Sequence, residues 1–106
     1  MESHPNDTIF ALSSGALPAG IAVVRLSGPQ AFGIAATMAG PISPSAKASL
    51  RTIRSRDGSV LDQGLVLGFQ APHSFTGEDC VELHLHGSRA VVATISAELA
   101  FVSYTH

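Results

Sequence analysis

Apolar residues fall along this 106-residue chain in two rhythms. Strand-like apolar runs mark Thr8–Ser13, Ile21–Ser27, Ser49–Ser55 and Val60–Gln70, and the run that ends at His86 alternates with period two, which sends neighbouring side chains to opposite faces of a strand. Ile21–Ser27 is apolar on both faces and reads as an interior strand, and Arg25 interrupts it. A guanidinium on a buried strand requires a partner, because an unpaired buried charge is costly. Helical spacing appears twice. Gln30–Ala39 places Ala31, Phe32, Ile34, Ala35 and Met38 on one face, with Pro29 at its start and Gly40-Pro41 at its end. Ser88–Leu99 does the same with Val91, Val92, Ile95 and Leu99.

The connections are equally legible. Met1–Asp7 is polar, Ser14–Gly20 is a loop of small residues, and Ile42–Ala48 is a Ser/Pro-rich exposed link. Asp57-Gly58 signals a hairpin between two strands. Ala100–His106 has the composition of a strand. The order β-β-α-β-β-β-α predicts an α+β fold. It is a two-layer sandwich with a mostly antiparallel sheet and two helices on one face. No repeat, heptad seam or second domain is visible, so residues 1–106 read as a single domain.

Composition narrows the function. Only 13% of residues are charged, about half the usual share, so part of the surface is expected to be buried in a core or against a partner. The net charge of -2 gives no basic footprint for nucleic acid. One cysteine, Cys80, excludes an internal disulfide and fits a reducing cytoplasm. The N-terminus lacks a signal-peptide pattern, and the longest uncharged stretch is too broken by Gly and Pro to span a membrane.

The chemistry concentrates in Pro72–Gly87, P-H-S-F-T-G-E-D-C-V-E-L-H-L-H-G. Val81, Leu83 and Leu85 form one row of its strand, and Cys80, Glu82, His84 and His86 form the other. His84 and His86 with Cys80 or Glu82 make a candidate metal set, although no second ligand pair accompanies them. Cys80 and His84 stand four residues apart, roughly 13 Å along a strand, too far for base activation of the thiol. Glu82 offers a carboxylate fork that suits a guanidinium, making Arg25 a partner, or the adjacent N–H donors of a pterin edge. No G-x-x-x-x-G-K-[ST] phosphate loop occurs in these residues.

Four segments carry a resemblance: D-T-I-F-A at Asp7–Ala11, G-I-A-V-V-R-L-S-G-P at Gly20–Pro29, D-G-S-V-L-D-Q-G at Asp57–Gly64, and the Ala71–Gly87 segment with its S-F-T-G-E-D core. In order and spacing they resemble the N-terminal domain of the MnmE (TrmE) family of bacterial tRNA-modification GTPases. The resemblance covers about Asp7 to Leu99. It implies a formyl-tetrahydrofolate-binding domain that forms a homodimer, similar in fold to the folate-binding domains of T-protein-like enzymes. It places folate contacts on Arg25 and Glu82, with Gly20, His86 and Gly87 as further pocket candidates. Through the full-length protein it implies tRNA and the flavoprotein MnmG as partners, in modification of the wobble uridine. Two departures stand out. Ser88 occupies a position where the family often has glycine, and the residues after Leu99 do not match the family's continuation. The resemblance therefore implies a domain truncated near its C-terminal end, without the GTPase and helical domains and without GTP hydrolysis of its own; a fragment that only dimerises is the alternative to one that also holds folate.

Overall fold

The computed structural model describes residues 8–13, 16–18 and 20–105. Five strands and two helices follow one another as β1 (Ile9–Leu12), β2 (Ile21–Ser27), α1 (Ala31–Ala39), β3 (Ser49–Arg54), β4 (Val60–Phe69), β5 (Cys80–His86) and α2 (Arg89–Thr105). The strands form one antiparallel sheet in the order β1-β2-β5-β4-β3. The expected α+β sandwich is what forms. The last strand in sequence, β5, lies at the centre of the sheet. The chain from β2 through α1 crosses to the far edge before β3, β4 and β5 return as a meander.

Both helices cover the same face of the sheet. Val24, Leu26, Ile53, Val66, Val81, Leu83 and Leu85 meet Ile34, Ala35 and Met38 of α1, and Ile95, Leu99 and Val102 of α2. Ile95 and Leu99 are wholly buried, and each such side chain contributes about 1.5–3 kcal/mol relative to exposure. The α1 helix ends at Gly40, whose φ of 80° is left-handed, and whose N–H bonds the Ala36 carbonyl at 2.9 Å. Arg51 Nη1 then satisfies the Ala39 carbonyl at 2.9 Å, a cation placed at the helix's negative end.

One element departs from expectation. Ala100–Thr105 continues α2 rather than starting a strand. Phe101, Val102, Tyr104 and Thr105 are strand-favouring types, but tertiary packing decides. Val102 extends the buried stripe of Ile95 and Leu99, and the Arg56 guanidinium lies 3.4 Å over the Phe101 ring. Arg56 also pairs with Glu98 at 3.2 Å, so the β3–β4 turn clasps the helix. The remaining residue of that segment, His106, and the polar Met1–Asp7 lie outside the described residues.

Close strand approach explains one glycine. A Cβ on Gly64 would stand 2.3 Å from the His84 carbonyl oxygen, so no larger residue fits where β4 meets β5.

Candidate functional site

The face of the sheet away from the two helices carries the candidate chemistry. Register places Arg25 of β2 opposite Glu82 of β5, and Glu82 opposite Leu67 of β4. Arg25 Nε and Nη2 both donate to Glu82 Oε2, at 3.1 and 2.6 Å. His84 Nε2 lies 3.0 Å from the other oxygen, Oε1. The cross-strand ion pair that Arg25 required is therefore present, and it runs into a row of three: Arg25, Glu82, His84. The Arg25 and Glu82 side chains are 23% and 15% exposed, partly sheltered from water. Burial alone would raise the pKa of Glu82. Hydrogen bonds from His84 and Arg25, and their charges, outweigh it and leave the pKa lowered. Glu82 is thus a carboxylate acceptor at neutral pH.

A clasped loop closes one end of this row. Ser27, buried in β2, bonds Thr76 Oγ1 at 2.6 Å and Glu78 Oε2 at 3.2 Å. Asp79 accepts the Ala71 N–H at 2.9 Å, and its carbonyl accepts the Gly28 N–H at 2.9 Å. These bonds bring Phe75, itself 81% exposed, over the Arg25 guanidinium at 4.4 Å from ring centroid to Cζ. A large apolar ring held in water above a cation is a ready stacking surface for a planar ligand.

At the other end of β5, His86 meets Asp62 of β4. The Asp62 carboxylate accepts the His86 backbone N–H at 2.9 Å and pairs with its Nδ1 at 2.6 Å. Burial would raise the Asp62 pKa, but the bonds from His86 and Gln63 prevail and lower it. His84 and His86 line a cleft of about 230 Å³ whose walls also include Gly20, Ile21, Leu50 and Leu65.

Gly20 and His86 therefore border one cleft, while Gly87 is buried at the turn into α2 and is absent from its lining. Arg25 and Glu82 are joined, and His84 links them to the cleft. In the loop Ser14–Gly20, residues Ser14, Gly15 and Ala19 lie outside the described residues. Cys80 shares the row of Glu82 but is buried, with its thiol pKa raised chiefly by that burial. The metal set accordingly loses its thiol. Among the described residues, no group of three or more His, Cys, Asp or Glu side chains is placed to hold a metal.

Residues 8–104 match the family described as the GTP-binding protein TrmE N-terminus. The chain belongs to the TrmE N-terminal family. It is 57% identical to the tRNA modification GTPase MnmE of Rhizobium meliloti over 94 residues, covering 89% of this chain and 21% of the relative. It is 58% identical to that of Agrobacterium fabrum over 94 residues, 88% and 21% of the two chains. The Roseobacter denitrificans MnmE is 56% identical over 89 residues, 84% and 21%. The chain thus spans about a fifth of the length of these curated relatives.

Two contacts of this TrmE N-terminal domain escaped sequence reasoning, Asp62 with His86 and Phe75 with Arg25. Asp62 sits within D-Q-G and Phe75 within S-F-T-G-E-D, but nothing local says what either touches. His84 was visible as a ring on the polar row; its bond to Glu82 follows from the shared face. Among the described residues no helix is long and apolar enough to cross a membrane.

Proposed function

We propose that this chain is a formyl-tetrahydrofolate-binding and homodimerising domain that works within a longer tRNA-modification GTPase. The observation that carries the ligand assignment is the ionised Glu82 on the central strand, flanked by Arg25 and His84 beside an open cleft. A carboxylate can accept two parallel N–H bonds, which suits the ring N–H and exocyclic amine of a pterin. Arg25 and His84 occupy three of the roughly four acceptor sites of Glu82, two on Oε2 and one on Oε1, so one pterin N–H meets Oε1 directly and the second displaces one of the existing bonds. The apolar cleft wall and the exposed Phe75 ring suit the flat body of such a ligand. The residues present therefore fit the group: Glu82 as acceptor, Arg25 as donor, and the cleft as a wall. When bound, formyl-tetrahydrofolate supplies a one-carbon unit.

The same face supports the dimer. Ile9, Ile21, Leu50 and Leu65 are 51%, 60%, 64% and 41% exposed, and all four lie on the face of Arg25 and Glu82 by register. An apolar sheet face of this kind is a surface for a partner; Ile21, Leu50 and Leu65 also wall the cleft, so the second copy closes over the bound ligand rather than replacing it. In the parent protein, GTP hydrolysis belongs outside these residues, since they contain no phosphate-loop motif. Action on tRNA and docking of the flavoprotein MnmG are likewise assigned to the full-length assembly in the cytoplasm.

Calorimetric titration of formyl-tetrahydrofolate into the chain, with chelator present, tests the ligand assignment. Saturable binding that Glu82→Ala weakens by about 1.5–3 kcal/mol, the worth of a charged hydrogen bond, is the expected result. No binding by a folded chain rejects it. Sedimentation at micromolar concentration tests the dimer, and a monomer there counts against that assignment.

A further inference from the structure

The two histidines that border the cleft are held by different carboxylates, and this fixes their tautomers. An ionised carboxylate accepts and never donates, so the ring nitrogen facing it carries the hydrogen. His84 faces Glu82 through Nε2, and His86 faces Asp62 through Nδ1. In the neutral ring of His86 the hydrogen is on Nδ1 and Nε2 is a bare acceptor.

The geometry around His86 is built rather than incidental. Its side chain is 73% exposed, whereas that of Asp62 is 8% exposed. A carboxylate so sheltered requires partners, and Asp62 finds two in one residue, the backbone N–H and the ring. Both grips are on His86, so the ring is anchored through its main chain and its Nδ1 together. Its outer edge, carrying Nε2, is turned away from Asp62, and His86 lines the cleft together with Leu50 and Leu65. Asp62 is absent from that wall and acts from behind it.

We propose that Asp62 is a positioning residue that holds His86 in the Nδ1-protonated tautomer, and that His86 Nε2 accepts a hydrogen bond from an N–H or O–H donor of the ligand bound in the cleft. This rests on the folate reading and extends it. The site then reads the ligand with two acceptors at separate places on β5, the Glu82 carboxylate and the His86 imidazole, and Arg25 is the donor. A ligand of the same shape that lacks the second donor would be discriminated against. The arrangement is the organic-ligand counterpart of the carboxylate–imidazole pairs that orient metal-binding histidines.

The test combines two measurements on the 106-residue chain. Long-range ¹⁵N NMR of the histidine rings in the ligand-free chain reports which nitrogen bears the hydrogen. His86 should be protonated at Nδ1, and Asp62→Asn should turn this into a tautomer mixture, because a carboxamide offers only one acceptor oxygen for two donors. Formyl-tetrahydrofolate should then shift the Nε2 resonance of His86 upfield. In calorimetry, His86→Ala and Asp62→Asn should each weaken binding about tenfold, one hydrogen bond's worth. His86→Ala keeps the backbone N–H that Asp62 accepts, and amide spectra verify the fold of both variants. Wild-type binding that His86→Ala leaves unchanged overturns the inference while the folate reading stands, as does an Nε2-protonated His86 in the free chain. Absence of wild-type binding overturns both.

Discussion

Removing the Arg25–Glu82 pair from both ends measures what it contributes without the cost of stranding either partner. The perturbation is a double-mutant cycle of Arg25→Gln, Glu82→Gln and the two together. Both guanidinium nitrogens converge on Oε2 at 3.1 and 2.6 Å, from side chains 23% and 15% exposed. An exposed pair contributes about 0–1 kcal/mol, and breaking a fully buried one from a single side costs about 3–5 kcal/mol. This pair lies between those limits, so each single variant should lose about 2 kcal/mol and the coupling should be about 1–2 kcal/mol. For a domain of this size that loss lowers the melting temperature by about 4–8 °C per kcal/mol. Denaturant unfolding is the assay, run near neutral pH and again in acid. The folded-state pKa of Glu82 is lowered, so between the folded and unfolded values the unfolded chain binds more protons. The stabilisation is therefore complete above the ordinary glutamate value of about 4.3 and is lost as pH falls through the lower folded value. A coupling below about 0.5 kcal/mol at neutral pH, the usual error of additivity, would refute the reasoning. So would a coupling that grows on acidification.

Other consequences are quicker to check. Gly64→Ala puts a methyl group 2.3 Å from the His84 carbonyl, and thermal melts should show a loss of at least about 2 kcal/mol, or no folded protein. Ile95→Ala empties a wholly buried site between α2 and the sheet, and denaturant titration should register about 2–5 kcal/mol. Phe75→Trp would introduce the sole tryptophan of the chain above the Arg25 guanidinium. Its emission should change when Arg25→Gln is added, and an unaltered spectrum would mean that the stack does not persist in solution.

The strands and helices were legible because alternation and helical spacing reflect burial directly. Arg25 and Glu82 were legible for a related reason: a charge within an apolar strand demands a partner, and the required pairing is what the register supplies. Asp62 was not legible. Its contact with His86 spans 24 positions and forms only where two strands end side by side. Cys80 kept its place in the polar row yet is buried, because alternation assigns a face and says nothing of what covers it. The end of α2 misled through composition. The three- and four-residue spacing of Ile95, Leu99 and Val102 was the competing signal, and burial obeyed it.

The sheet order has a consequence for how this chain comes to be folded. The central strand β5 is the last strand made, and it inserts between β2 and β4. Until residue 86 has left the ribosome, the nascent chain can form the β1–β2 and β3–β4 hairpins but cannot join them into one sheet. Glu82, His84 and His86 all arrive on that joining strand. Closing the sheet and assembling the Arg25–Glu82–His84 row are therefore one event, and its non-local pairing makes it a slow step. A partly synthesised chain has neither a continuous core nor the Glu82 carboxylate, so Arg25 stands on β2 without its partner until β5 arrives.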